Sequence, residues 1–162
     1  SEPPIRVPEN MTARQLMAQM ARMQLQPLVP SVTQLSDAEM NDSFYYTLFP
    51  NFHPWGAYNK LNYRFRPNGN DPGSCIMEVI YLAPFRGKAP PPAPVHWLDV
   101  DEPWTEAPEL GPLCKVFDQD TINLPKVQIG LRSAAHKHVT FSSYQETKIR
   151  HFHALLDRAL ES

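Results

Sequence analysis

Residues 113–132 repeat apolar side chains at the spacing of one helix face, and this repeat constrains the fold more than any other stretch. A helix of about 3.6 residues per turn would place them in one stripe: Leu113, Val116, Phe117, Leu124, Val127 and Leu131. Asp120 occupies the one position of the stripe that is not apolar. Pro125 follows, and it cannot donate a backbone N–H and crowds the carbonyl of Thr121. We therefore expect the helix to bend or restart at this proline.

Asp120 needs an explanation, because a carboxylate on a core-facing stripe loses its water and requires a cation, a proton or a metal. Two structural explanations stay open. Asp118 or Asp120 could cap a helix that begins after the acidic cluster, with Pro125 in its first turn. Alternatively, Asp120 pairs with a buried arginine. The third explanation is a functional site, since buried acids also mark such sites.

Length and composition favour one globular domain, with 162 residues of which 42% are hydrophobic. A net charge of -2 provides no basic field for nucleic acid or for a membrane surface. Because no targeting segment and no run of eighteen apolar residues are visible, we expect a cytoplasmic protein. Cys75 and Cys114 are too few and too widely spaced for a disulfide framework, which predicts two buried thiols in a reducing compartment.

Helix signals lie at both ends of the chain. Thr12 and Gln15 form a capping-box pattern before a methionine-rich helix, and Ser143 with Glu146 predicts the start of a final helix with one buried apolar stripe. Seven prolines fall within residues 84–108, which we interpret as a stiff covering loop anchored by Trp97 and Trp104. This loop and the methionine face could also bind a protein, which would make the chain an interaction domain.

Strand signals are concentrated between the helices. Residues 44–49 are β-branched and aromatic, residues 60–66 alternate apolar and polar side chains, and residues 75–82 follow a turn-rich segment. The last two should pair as an antiparallel hairpin, and residues 138–143 could add a short strand. The predicted fold class is therefore α+β, with an antiparallel sheet packed against long helices.

Histidines offer the clearest metal-ligand pattern in the residues themselves. His151 and His153 should diverge on a helix, whereas His136 and His138 converge if their segment is extended. Together with Asp120 they would form two histidines and one carboxylate, the ligand set of non-haem Fe(II) oxygenases. Solvated histidines near a loop are the simpler interpretation. Neither a GxSxG turn nor a glycine-rich phosphate loop is present in the sequence.

The segment FDQDTINLPKVQIGLRS resembles the catalytic-domain segment of Rieske non-haem iron oxygenases, the ring-hydroxylating oxygenase α subunits. FYYTLFPN, KLNYRFRPNG and the closing IRHFHALLDRAL are also similar to segments of that family, in the same order. The resemblance implies a helix-grip, START-like fold in which Asp120, eight residues before Gln128, is the carboxylate ligand of a mononuclear Fe(II). Leu113, Val116, Phe117 and Leu124 would then line the substrate pocket.

The resemblance further implies that residues 1–162 are the C-terminal portion of one catalytic domain, with Ser1 following a cut placed after the iron-binding histidine pair. The [2Fe–2S] Rieske cluster would lie in a missing N-terminal domain. Electrons would come from NAD(P)H through a ferredoxin or reductase, and O₂ would oxidise an aromatic or other apolar substrate. Family members commonly form trimers of α subunits, alone or with three β subunits. This chain by itself is then expected to be inactive. The alternative function is a metal-free helix-grip module that binds an apolar ligand.

Overall fold

The computed structural model describes residues 6–56, 60–136 and 138–162. Ser1–Asn70 with Ser74–Pro91 form one compact unit, and Asp71–Gly73 with Pro92–Ser162 form a second. The helices of the described residues are α1 (Ala13–Leu25), α2 (Asp37–Asn41), α3 (Leu113–Thr121), α4 (Leu124–Ser133) and α5 (Thr147–Leu160). The strands are β1 (Phe52–Pro54), β2 (Leu61–Pro67) and β3 (Cys75–Tyr81). The fold is α+β with a three-stranded antiparallel sheet, as the sequence predicts.

The sheet of the first unit has the order β1-β2-β3, and Tyr63 at its centre pairs with His53 on one side and Val79 on the other. The predicted strands at residues 60–66 and 75–82 and their hairpin are confirmed. The predicted strand at 44–49 is wrong, because only isolated bridges form there, from Tyr45 to Trp55 and from Leu48 to Phe52. The ladder forms instead at β1, three residues long, for which the sequence pattern gave no signal.

The two faces of the sheet differ in chemistry because side chains alternate along each strand. One face carries edge-to-face aromatic pairs, with ring centroids 4.4 Å apart for Tyr45 and Trp55 and 5.8 Å apart for Trp55 and Tyr63. The other face carries Glu78, which accepts hydrogen bonds from Arg64 and from Arg66 across the β2–β3 ladder. These bonds, that of Arg64 above all, lower the pKa of the Glu78 carboxyl.

The helices of the first unit share a small core of their own. Ala18 of α1, Val32 of the 3-10 helix Pro30–Gln34 and Met40 of α2 are buried against one another. The capping box of Thr12 and Gln15 that starts α1 is confirmed. The methionine-rich face is only partly buried, since Met17 and Met23 are among the exposed residues. On α1 the fully buried residue of this core is the small Ala18, and none of the methionines of α1 is buried.

The C-terminal part of the second unit differs from the sequence prediction in three ways. Residues 138–143 form no strand, and Ser143 does not cap α5. Instead, the backbone N–H of Glu146 donates to Ser142 Oγ over 3.2 Å, and the Glu146 carboxylate accepts from the Ser142 backbone N–H. The predicted stripe of α5 is partly buried at most, since α5 has no buried residue. The helix itself is confirmed.

Candidate functional site

The break between α3 and α4 lies where Pro125 predicts it. α3 ends at Thr121, and α4 begins at Leu124 with Pro125 in its first turn. Ile122 and Asn123, the two residues between the helices, keep right-handed helical backbone angles. The missing donor is the nitrogen of Pro125, which has no hydrogen to give to the Thr121 carbonyl.

The buried face of α3 differs from the predicted stripe by one residue. Cys114 and Phe117 are buried and Asp118 is half-buried, which places the inward face one position later along the chain. Val116 is 46% exposed and Leu124 is 55% exposed. The prediction that the stripe around Asp120 faces a core is therefore wrong. The two faces share Phe117, which is only 3% exposed, so periodicity alone could not separate them.

Trp104 decides which face is buried. Its ring packs on Phe117 with centroids 5.1 Å apart, and its backbone N–H donates to Asp118 Oδ1 over 2.6 Å. The predicted anchoring role of Trp104 is confirmed, whereas Trp97 is 67% exposed. The sequence pattern did not predict this hydrogen bond between Trp104 and Asp118. Pro103 is the residue that could have indicated such a bond. It precedes the turn that begins at Trp104, and a proline has no side-chain oxygen to accept the first backbone N–H of that turn.

Asp120 points away from this packed face and is exposed in the last turn of α3. The capping explanation is wrong for both acids, because Asn123 is the N-cap of α4 and no side chain caps that helix. The pairing explanation is also wrong within the described residues, where the ion pairs do not include Asp120. The Asp120 carboxylate, without an ion pair among the described residues, therefore lies on an exposed apolar stripe, with Val116 one turn before it and Leu124 and Val127 after it.

The histidines do not complete a metal site with Asp120 in the described part of the chain. His136 and His138 lie near each other, with ring centroids 5.6 Å apart. Among residues 6–56, 60–136 and 138–162, however, no three His, Cys, Asp or Glu side chains come together as metal ligands would. His153 stacks on Phe141 instead, at 5.5 Å. Within the described residues, Asp120 is therefore not joined by a second and a third side chain that could hold a metal ion with it.

The cysteines divide between surface and interior. Both are free, but Cys75 is exposed, which corrects the prediction of two buried thiols. Cys114 is buried, and its Sγ donates to the Gly111 carbonyl over 2.9 Å at the start of α3. In the described residues no helix has both the length and the apolar character that crossing a membrane requires.

The three-stranded antiparallel sheet with several helices is consistent with the catalytic domain of ring-hydroxylating oxygenases. The family model for the ring hydroxylating alpha subunit (catalytic domain) matches residues 6–162. The chain therefore belongs to this family, which confirms the resemblance seen in the sequence. Searches of curated proteins and of solved structures found no match.

Proposed function

We propose that this chain is the catalytic part of an oxygenase that uses mononuclear Fe(II) and O₂ to hydroxylate an aromatic or similar apolar substrate. The family match over residues 6–162 carries this proposal. Asp120 is the proposed carboxylate ligand. The bound metal would supply oxygen activation, and the polypeptide described here would supply one anionic ligand and an apolar surface beside it.

Three features of Asp120 support its role. It is exposed, so its carboxylate oxygens can reach a metal ion that lies outside α3. Its neighbour Asp118 is already engaged by the Trp104 backbone, which leaves Asp120 as the available acid of this segment. Carboxylate oxygen is also a normal donor in the set of two histidines and one carboxylate. The remaining ligands are proposed to be a histidine pair that precedes this segment in the intact α subunit.

The surroundings of Asp120 suit an apolar substrate. Val116 and Leu124 are exposed one turn before and one turn after it, and Leu113 is half-buried. We assign these three side chains to substrate contact. Phe117 is also predicted for the pocket, but it is buried against Trp104. Its contribution would be to support the pocket residues of α3 without touching the substrate. A pocket binds an apolar ligand mainly by such hydrophobic surface, with a few polar groups that fix orientation.

The electron supply and the assembly belong to the same proposal. A [2Fe–2S] Rieske cluster in an N-terminal domain would pass electrons that originate in NAD(P)H and arrive through a reductase or ferredoxin. The intact enzyme would be a trimer of α subunits, and residues 1–162 would form the C-terminal portion of its catalytic domain. The chain by itself would then not turn over.

The test compares two variants that remove one negative charge each. Asp120→Asn should weaken Fe(II) binding to the intact α subunit by more than about 100-fold, beyond the range found for residues that only support a ligand. Exposed Asp101→Asn should leave Fe(II) binding unchanged. Metal content is measured together with substrate-dependent O₂ uptake. Full iron retention by Asp120→Asn would refute the ligand assignment, and ligand binding without any iron would favour the metal-free binding module.

A further inference from the structure

We propose that Asp118 is a positioning residue, whose hydrogen bond to the Trp104 backbone holds α3 in the rotation that presents Asp120 outward. This inference rests on the proposed function of Asp120. It adds a second role within the acidic segment. Asp118 accepts a hydrogen bond from the Trp104 backbone, and Asp120 would bind the metal. The structure assigns the positioning role to Asp118, since the resemblance to the family names only Asp120 and the sequence does not show the bond to Trp104.

The first support is the hydrogen bond itself. Trp104 opens the 3-10 helix Trp104–Glu106, and its N–H is one of the donors left without a partner at the start of such a helix. Pro103 occupies the N-cap, where a serine or aspartate side chain would normally accept. Asp118 Oδ1 accepts this N–H at 2.6 Å from a position 14 residues further along the chain. A carboxylate acceptor makes a stronger bond of this kind than a neutral group does.

The second support is the packing around that bond. Phe117, next to Asp118, lies against the Trp104 ring, and Ala107 at the end of the same turn is buried. Cys114, one turn earlier on α3, is also buried, and its Sγ donates to the Gly111 carbonyl. The turn at residues 104–107 therefore contacts one face of α3 through an apolar pair and a charged hydrogen bond.

Because of the helical geometry, this contact also fixes the direction in which Asp120 projects. Successive residues of an α-helix are about 100° apart, so residues 118 and 120 project about 200° apart. When Asp118 faces the Trp104 turn, Asp120 must face away from it, and it is exposed as this requires. Loss of the Asp118 acceptor would leave apolar packing, including the ring contact of Phe117 and buried Cys114, to fix the rotation. Apolar packing permits more rotational freedom than a directional hydrogen bond.

The experiment uses the intact α subunit with Fe(II), and with Co(II) as a spectroscopic probe. Asp118→Ala should weaken metal binding by about 10-fold, the low end of the effect expected when a support for a ligand is removed. It should also alter the Co(II) absorption spectrum, because Asp120 is no longer held in one orientation. Asp118→Asn keeps an oxygen acceptor at the same distance and should restore most of the affinity and the wild-type spectrum. Exposed Gln119→Ala is the matched control on the same helix.

The outcomes separate this inference from the proposed function. If Asp118→Ala lowers thermal stability but leaves the metal affinity and the Co(II) spectrum unchanged, the bond is only structural and the inference is wrong. If Asp120→Asn retains full metal binding, the proposed function fails and the inference fails with it. Should Asp118→Ala not fold, Asp118→Ser replaces it, because its hydroxyl is too short to reach the Trp104 N–H. The same affinity and spectrum then decide the question.

Discussion

Replacement of Phe117 by alanine tests which face of α3 is buried. The side chain is 3% exposed and its ring lies 5.1 Å from that of Trp104. Removing a buried phenylalanine costs about 3–5 kcal/mol, which includes the cavity left behind. Trp104 is only half-buried and can close part of that cavity, so we expect a loss of about 3 kcal/mol in the free energy of unfolding of the second unit. Urea unfolding followed by tryptophan fluorescence and circular dichroism measures it.

Val116→Ala is the matched control, because the sequence stripe and the structure make opposite predictions for this residue. The substitution removes two carbon groups from a side chain that is 46% exposed. At about 0.8 kcal/mol for each fully buried methylene, the expected loss is below about 1 kcal/mol. Equal losses for Phe117→Ala and Val116→Ala would show that the stripe of Val116 faces the core, and the assignment of the inward face would be refuted.

Two further predictions concern the first unit. Burial lowers the pKa of His53 from its ordinary value of 6.5, so the folded state binds fewer protons there than the unfolded chain. The free energy of unfolding should therefore fall as the pH drops from about 7.5 to about 5.5, and His53→Gln should flatten this slope in urea titrations; an unchanged slope would contradict it. Thr12→Ala should lower the free energy of unfolding by about 1 kcal/mol, because it removes the cap of α1. Exposed Gln24→Ala is the control, and a similar loss there would count against capping.

Local rules predicted the elements whose signals lie within a few residues. The capping box of Thr12 and Gln15, the antiparallel hairpin of β2 and β3 and the interruption at Pro125 are all present. Each depends on a hydrogen bond, a turn or a steric clash between near neighbours, so the sequence contains the full cause. The failed strand at residues 44–49 differs in this respect, because strand formation requires a partner that the sequence does not name.

The candidate site divides along the same line. The acidic segment together with three further segments in the same order predicted the family, which the match over residues 6–162 confirms. Periodicity, however, placed Asp120 on a buried face, because the stripe was drawn through the apolar residues Leu113 and Val116 and not through Cys114. The hydrogen bond to Asp118 comes from a distant residue, so the helical pattern contains no sign of it.

The sequence by itself therefore determined the secondary structure around the site and the family to which the chain belongs. Only the tertiary structure decided the rotation of α3, and with it that Asp118 is engaged and Asp120 is exposed. The physical reason is that helical periodicity specifies one stripe only to within about one residue. The contact that selects between the two faces comes from Trp104, in a separate turn of the chain. Its ring buries Phe117 and its N–H engages Asp118, which leaves Asp120 exposed.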